Sequence, residues 1–196
     1  MKHLPNSISI SRILLTPVFL VLILVDTFLG QVLALSVFVI AAVSDYLDGM
    51  IARRYGADSA LGRYLDPLAD KILVLSAFCV LPFLLPGVVP WWAVIVIAVR
   101  DIAVTVLRAV AISRGKPLRT LPLAKTKTAA QLTFLIVVML LLVFVKLPGQ
   151  ELINRFASTL LDGPFVFLFL MVVVLLTVVT GAMYVVGKPH ERTSVT

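Results

Sequence analysis

Two pairs of aspartates at helical spacing, Asp45 with Asp48 and Asp66 with Asp70, lie within one 26-residue segment of a chain that is otherwise strongly apolar. Successive residues of an α-helix are about 100° apart, so Asp45 and Asp48 lie about 60° apart on one helical face. Asp66 and Asp70 are four residues apart and also point in one direction. Two neighbouring helices joined by a short loop can therefore direct four carboxylates into one volume.

The energetic cost of such a cluster indicates what it binds. An aspartate at bilayer depth costs roughly 2.5–3.5 kcal/mol, so four approach ~10 kcal/mol before their mutual repulsion is added. Arg53 is the cation that shares the helix of the first two acids most closely with Gly49 and Ala52, and the whole segment supplies fewer cations than acids. Divalent cations can neutralise the acids, and carboxylate oxygens favour Mg²⁺, Mn²⁺ or Ca²⁺ over zinc. A pair of such ions bridged by carboxylates is typical of displacement at phosphorus.

Small residues accompany the acids on the first of these helices. Gly49 and Ala52 follow Asp45 and Asp48 on the same face and leave that face bare. Small residues in a membrane bundle usually permit close helix packing, but here they can also let a flat ligand approach the backbone. Arg53, at the end of the same run, is suited to bidentate contact with a phosphate.

The composition predicts the elements that position these residues. Of 196 residues, 61% are hydrophobic and only 14% are charged, which supplies too little polar surface for a soluble domain of this length. We expect one all-α membrane domain over residues 1–196, built as a bundle of six transmembrane helices. The predicted spans are 7–28, 31–54, 66–85, 91–113, 124–145 and 164–186. The mixed stretch 146–162 is predicted to hold a short interfacial segment.

The distribution of basic residues predicts the orientation of this bundle. The net charge is +7, and alternating six spans place 15 of the 17 lysines and arginines on one side. The positive-inside rule then puts both termini in the cytoplasm, with the aspartate cluster facing that compartment. Because topology explains the basic residues, they do not call for a nucleic-acid partner. The single cysteine, Cys79, excludes an internal disulfide.

The segment from Asp45 to Asp70 resembles the signature of a known family. It reads D-x2-D-G-x2-A-R-x8-G-x3-D-x3-D without a gap or substitution. This is the long and specific motif of the CDP-alcohol phosphatidyltransferases, and the six-span plan of that family covers the whole chain.

The resemblance implies roles for the residues of the motif. Asp45, Asp48 and Asp66 would hold two divalent cations, Mg²⁺ or Mn²⁺, with Asp70 close to the metals and acting as general base. The acceptor hydroxyl would attack the phosphorus that carries diacylglycerol, and CMP would leave. A further set would contact or shape the site of the CDP group: Asp48, Gly49, Ala52, Arg53, Gly62 and Asn6.

Other segments resemble family members whose acceptor is sn-glycerol 3-phosphate. These are Pro5-Asn6 with Ser9 and Arg12, the stretch from Leu65 to Lys71, Arg100-Asp101-Ile102 with Arg108, and Lys125 to Gln131. The residues independently favour a phosphorylated acceptor, since basic side chains beside metals require an anion between them. The candidate phosphate-binding residues are Arg100, Arg108, Lys125 and Lys127. The resemblance also implies a homodimer in a bacterial inner membrane.

Two alternatives stay open at this level. The same chemistry could use inositol phosphate, serine or phosphatidylglycerol as acceptor. Intramembrane acids also mark ion pathways, so a divalent-cation transporter is a second class of function. Against it, all four acids lie at one end of two spans, and the outer halves of the spans carry almost no polar side chains.

Overall fold

The computed structural model describes the backbone of residues 4–55, 62–114 and 122–186 and the side chains of residues 12–44, 71–114 and 123–184. Within these ranges all regular secondary structure is helical, which confirms the predicted all-α class. The helices are α1 (Leu4–Leu24), α2 (Phe28–Tyr55), α3 (Gly62–Leu84), α4 (Trp91–Ser113), α5 (Pro122–Val145), α6 (Glu151–Asp162) and α7 (Pro164–Val186).

Most predicted helix bounds agree closely with the structure. Helices α4 and α7 have the predicted bounds, and α5 begins two residues before the predicted Ala124. The mixed stretch 146–162 contains the amphipathic helix α6. Its Ala157 and Leu161 are buried, whereas Leu152 and Phe156 are exposed.

The first predicted span is wrong at its end, which was placed at Phe28. Helix α1 ends at Leu24, and Phe28 is the first residue of α2. The Gln31 amide donates to the carbonyl oxygens of Ile23 and Val25, and the Gly30 N–H donates to Thr27 Oγ1 as an N-terminal cap. A side chain at Gly30 would lie 2.8 Å from the Val25 carbonyl oxygen. Local hydrogen bonds therefore place a tight turn inside a continuous apolar run.

The third predicted span begins too late. Helix α3 starts at Gly62 rather than Asp66, so Gly62 is a helical residue and not part of the connecting loop. Pro67 is therefore the sixth residue of the helix. A polar first turn is invisible to a reading based on hydropathy, which detects only the apolar part of a helix.

The core joins helices that are adjacent in sequence with helices that are distant from one another along the chain. Helix α1 packs on α2 and α3, α4 packs on α3 and α7, and α5 packs on α2, α6 and α7. At the centre, the buried rings of Phe78 and Phe134 stack with centroids 5.7 Å apart. Phe169 meets Phe134 edge-on at 5.4 Å. These aromatic contacts fix α3, α5 and α7 against one another.

Among the residues whose side chains the structure describes, two helical segments are long and apolar enough to cross a membrane, α5 over Leu123–Val145 and α7 over Pro164–Tyr184. Three shorter apolar stretches lie in α1, α2 and α3, at Arg12–Leu24, Phe28–Ser44 and Lys71–Leu84. Helix α4 is also apolar but carries the charged residues Arg100, Asp101 and Arg108.

Candidate active site

A buried carboxylate joins three helices at one end of the bundle. Asp101, on α4, is only 1% exposed. It accepts a hydrogen bond from Lys127 Nζ of α5 and one of 3.1 Å from Arg100 Nη1 of its own helix. Lys71 Nζ of α3 lies 3.8 Å from its other oxygen, which also accepts a weak 3.4 Å bond from Gln131 Nε2. The carboxylate therefore holds cations from α3, α4 and α5 in one place.

A second set of contacts ties α4 to α7. Arg100 Nη2 donates to Thr180 Oγ1 at 2.8 Å, and Arg108 Nη2 donates to the Tyr184 hydroxyl. Both guanidinium groups also lie over the Tyr184 ring, 5.9 Å and 5.1 Å from its centroid. The ring face attracts both cations and thereby offsets part of their mutual repulsion.

Gly181 makes this contact between α4 and α7 possible. A Cβ at this position would lie 3.0 Å from Arg100 Cγ, which is tighter than an ordinary van der Waals contact. The lack of a side chain therefore lets the stem of Arg100 lie directly on α7.

The charges of this site do not balance among the described residues. Lys71, Arg100 and Lys127 surround one carboxylate, and Arg108 lies on the same face of α4. Arg100 Nε and Arg108 Nε are buried without a hydrogen-bond acceptor among the side chains that the structure describes. Buried donors of positive charge without acceptors favour an anion, and a phosphate supplies several acceptor oxygens.

Comparison with known proteins identifies the chemistry to which such a site belongs. The sequence profile of the CDP-alcohol phosphatidyltransferase family matches residues 2–186, nearly the whole chain.

The chain belongs to the CDP-alcohol phosphatidyltransferase family.

The relatives of this phosphatidyltransferase include several bacterial lipid enzymes. It is 36% identical to the CDP-diacylglycerol–glycerol-3-phosphate 3-phosphatidyltransferase of Bacillus subtilis, over 94% of each chain. It is 38% identical to a probable phosphatidylglycerophosphate synthase of Mycobacterium tuberculosis strain H37Rv, over 58% of this chain and 54% of that protein. It is also 38% identical to a CMP-forming cardiolipin synthase of Streptomyces coelicolor, over 58% of this chain and 54% of the relative. The chain is thus an enzyme, and its family together with its apolar helices indicates association with a membrane.

The structure brings together three of the four predicted phosphate-binding residues. Arg100, Arg108 and Lys127 all lie in the charged cluster around Asp101 and Tyr184. Lys125 is exposed, because two helical residues correspond to a rotation of about 200° and turn it away from Lys127. Its predicted contact with the acceptor receives no support from this placement.

The predicted aspartate site lies on the backbone of two helices that contact each other. Asp45, Asp48, Gly49, Ala52 and Arg53 are residues of α2, and Asp66, Asp70 and Gly62 are residues of α3. Asn6 is a residue of α1. The side chains of all these residues lie outside the described ranges, so their roles stay predictions. Among the side chains that are described, no group of three His, Cys, Asp or Glu residues could hold a metal ion.

Four residues of the site received no role in the sequence prediction: Asp101, Gln131, Thr180 and Tyr184. Asp101 and Gln131 occur within the motifs that resemble the family, and Gln131 lies one helical turn after Lys127. That spacing is a signal that could have placed Gln131 in the cluster. Thr180 and Tyr184 are also one turn apart, but nothing in the sequence relates them to arginines more than 70 residues away.

The central role of Asp101 can be tested with an isosteric change. Asp101→Asn leaves buried cations without their carboxylate, so we expect a loss of about 3–5 kcal/mol of stability and a large fall in the melting temperature. The matched control is Asp26→Asn, because Asp26 also pairs with a lysine, Lys146 at 2.6 Å, but its side chain is 81% exposed. This change should cost at most about 1 kcal/mol. The measurement is the melting temperature of each detergent-purified protein. Similar melting temperatures for the two variants would contradict the central role of Asp101.

Proposed function

We propose that this phosphatidyltransferase transfers the phosphatidyl group of CDP-diacylglycerol to sn-glycerol 3-phosphate, forming phosphatidylglycerophosphate and releasing CMP. The observation that carries the proposal is the excess positive charge at Arg100, Arg108 and Lys127, where two guanidinium Nε groups are buried without an acceptor among the described residues. A phosphate monoester carries up to two negative charges and several acceptor oxygens, so it matches this cluster. The Bacillus subtilis relative, similar over nearly its full length, is named for this reaction.

Serine and phosphatidylglycerol fit the cluster less well, whereas inositol phosphate carries the same kind of phosphate monoester and is distinguished by the acceptor panel below. Serine carries no phosphate to meet Arg100 and Arg108, and the phosphodiester of phosphatidylglycerol carries one negative charge instead of two. Phosphatidylglycerol is nevertheless the second candidate, because the Streptomyces coelicolor relative is named a cardiolipin synthase. A divalent-cation transporter is disfavoured, because all four acids lie at one end of two predicted spans and the outer halves of the spans carry almost no polar side chains that could line a route across.

The aspartates supply the other half of the proposed site. Asp45 and Asp48 on α2 and Asp66 and Asp70 on α3 form an all-oxygen donor set that suits two ions of Mg²⁺ or Mn²⁺. Such ions, when bound, would supply positive charge to the diphosphate and to the oxygen on which CMP leaves. The CDP group would bind to residues of the same helices and of α1, namely Gly49, Ala52, Arg53, Gly62 and Asn6.

The proposed reaction needs one proton acceptor. The acceptor hydroxyl attacks the phosphorus that bears diacylglycerol, a new P–O bond forms, and the P–O bond to CMP breaks. Asp70 takes the hydroxyl proton as general base. The phosphate of glycerol 3-phosphate is bound by Arg100, Arg108 and Lys127. This binding positions the acceptor hydroxyl next to the phosphorus, so that the reaction takes place between two groups that are already bound and oriented.

The proposed setting is a six-span bundle in a bacterial inner membrane, with both termini and the active site on the cytoplasmic side. Support comes from α4, whose exposed face is apolar despite its charges. Ile95, Val99, Ile102 and Val106 recur every three or four residues, and each is more than half exposed. An apolar stripe of this kind suits contact with lipid, while the charged residues of α4 face the protein interior. The homodimer implied by the family resemblance stays a prediction, which the molar mass of the solubilised protein would test.

An acceptor panel tests the proposed reaction. We expect the purified protein with CDP-diacylglycerol to release CMP with sn-glycerol 3-phosphate, and not with glycerol, serine, inositol phosphate or phosphatidylglycerol. Glycerol is the matched control because it differs only by the phosphate. A chelator of divalent cations should abolish release, and added Mg²⁺ or Mn²⁺ should restore it. CMP release with inositol phosphate or phosphatidylglycerol alone would replace the proposed acceptor.

The same assay examines the cationic cluster. Arg108→Gln removes one charge from the proposed phosphate contact, so we expect the KM for glycerol 3-phosphate to rise about tenfold or more while the KM for CDP-diacylglycerol is unchanged. The matched control is Arg155→Gln, because Arg155 on α6 is exposed with an ion-pair partner 4.0 Å away. An equal rise in both KM values for Arg108→Gln would argue against a specific phosphate contact.

The role of Asp70 predicts a split between binding and turnover. Asp70→Asn removes the proton acceptor, so we expect kcat to fall by about 10²–10⁴-fold while binding of CDP-diacylglycerol persists. Asp162→Asn, on an exposed position of α6, should leave both unchanged. Turnover of Asp70→Asn at the normal rate would remove Asp70 as the base.

The proposed orientation can be read from labelling of single cysteines. In a Cys79→Ser background, Gln150→Cys lies between α5 and α6 and Ser113→Cys lies at the end of α4, and both native residues are exposed. The six-span arrangement puts these positions on opposite sides of the membrane. We expect an impermeant maleimide to label Gln150→Cys in intact cells, and Ser113→Cys only after lysis. The reverse pattern would invert the proposed topology.

A further inference from the structure

The surface of helix α6 (Glu151–Asp162) is divided into three sectors along its length. Successive residues of a helix are about 100° apart, which places each side chain around the axis. The charged sector holds Glu151, Arg155 and Asp162, the exposed apolar sector holds Leu152 and Phe156, and the buried sector holds Ala157 and Leu161. Each sector spans about 40°, and the sector centres lie roughly 100–140° apart. A helix with three separate sectors requires three different surroundings.

Two of these surroundings follow directly from the structure. Ala157 and Leu161 belong to the core, so the buried sector faces α5 and α7. The charged sector is exposed and suits water. Leu152 and Phe156 are also exposed, to 83% and 66%, although they lie on neither of those sides. Two large apolar side chains next to each other indicate an apolar surrounding in addition to protein and water.

The place of α6 in the chain puts it at a membrane surface. From Lys127 to Val145 helix α5 rises ~27 Å, and from Pro164 to Tyr184 helix α7 rises ~30 Å, at about 1.5 Å per residue. Both lengths match a bilayer hydrocarbon core of about 30 Å. Lys127 and Tyr184 belong to the charged cluster at one end of these helices. Helix α6 connects their other ends, so it lies one hydrocarbon thickness away from that cluster.

Two tryptophans mark the corresponding end of α4. Trp91 and Trp92 begin this helix, ~26 Å along its axis from Arg108, and about half of each side chain is exposed. Tryptophan is enriched at membrane–water interfaces, where its apolar ring and its N–H group meet different media. The start of α4 and the whole of α6 therefore both lie where a membrane surface is expected.

We infer that α6 lies along the extracytoplasmic surface of the membrane, with Leu152 and Phe156 inserted at the boundary between phospholipid headgroups and acyl chains. The helix anchors the adjoining ends of α5 and α7 at this depth, and the lengths of these helices then set the depth of the charged cluster at the opposite surface. The charged sector contains two acids and one arginine, so it does not attract anionic headgroups. Insertion of the apolar sector therefore supplies the affinity. The inference rests on the proposed function only for the side of the membrane.

A second copy of the chain is a less suitable partner for the exposed apolar sector. Leu152 and Phe156 together expose roughly 300 Å² at most, since an aromatic side chain presents about 150–250 Å² in full. A stable interface buries about 800 Å² on each partner. Lipid has no such requirement, because the membrane affinity of an amphipathic helix grows with each apolar side chain that is buried.

Nitroxide labels on single cysteines distinguish the possible surroundings. In a Cys79→Ser background, Phe156→Cys examines the apolar sector, and the neighbouring Arg155→Cys is the matched control in the charged sector. The labelled proteins are reconstituted in phosphatidylcholine vesicles, and their CMP release verifies the fold. We expect the ratio of relaxation by oxygen to relaxation by a water-soluble nickel chelate to be about tenfold higher for Phe156→Cys, because the polar chelate is excluded from hydrocarbon. Leu152→Cys provides the same measurement one turn earlier.

Other results of the labelling would overturn the inference. Equal ratios at the two positions would show that the apolar sector faces water. Weak relaxation by both reagents at Phe156→Cys would show a protein cover, and a rise in oxygen relaxation when the protein is diluted in lipid would identify that cover as a second copy. A ratio that depends on added phosphatidylglycerol would contradict affinity through apolar insertion.

A tryptophan measures how deeply the apolar sector is inserted. Phe156→Trp in a Trp91→Phe/Trp92→Phe background carries the only tryptophan of the chain. We expect bromine near the lipid headgroup to quench its fluorescence about twofold more strongly than bromine near the chain ends. The control Arg155→Trp should be quenched weakly by both lipids. Stronger quenching of Phe156→Trp from the chain ends would contradict a position at the membrane surface.

These measurements are separable from those of the proposed function. Both are made without substrate, so an error in the proposed acceptor changes the CMP-release panel and leaves them intact. An inverted orientation would reverse the maleimide labelling of Gln150→Cys, while Phe156→Cys would still contact lipid. Water around Phe156→Cys in an enzyme that uses glycerol 3-phosphate would refute this inference alone.

Discussion

The ion pairs of one buried carboxylate are the constraint on which the functional end of the bundle depends. Asp101 is closed off from solvent and meets Lys127, Arg100 and Lys71 from three different helices. Each of these cations would be costly to bury alone, and a carboxylate removed from solvent would be equally costly without them. The helices α3, α4 and α5 can therefore come together at this end only in arrangements that keep the four groups in contact. Packing and electrostatics specify the same geometry.

The bundle has two halves with different chemistry, one charged and one aromatic. At one end lie the charged cluster, the contacts of Arg100 and Arg108 with α7, and the ends of α2 and α3 that carry the aspartates. In the other half, the ring of Phe134 packs against the rings of Phe78 and Phe169. The rigid aromatic half fixes how the helices are rotated, and the charged half depends on that rotation. A site for anions can then retain an excess of positive charge that would otherwise drive the helices apart.

Much of the fold could be predicted because hydropathy records which stretches are apolar. Hydropathy predicted both ends of α4 and α7 correctly and placed the first residue of α5 within two residues of its position in the structure. It failed where a boundary depends on a local hydrogen bond, as at Gln31 and Thr27, or on a polar first turn, as at Gly62. The aspartate motif identified the family because its spacing is long and specific. Whether its side chains meet at one point is a tertiary property, and for residues 45–70 it stays a prediction.

The cationic part of the site shows a different limit of sequence reasoning. Positive-inside topology and phosphate binding both place arginine and lysine at the same end of a membrane bundle, so residue type cannot distinguish them. Burial can, since topology requires only that a charge reach the interface, whereas a binding site requires it to lie inside. Lys127 is 1% exposed and paired, while Lys125, two residues earlier, is exposed. Arg100 and Arg108 find their partners Thr180 and Tyr184 across 80 and 76 residues of chain. The helical phase of each cation, which only the packed structure fixes, therefore separates those that can bind substrate from those that only orient the protein.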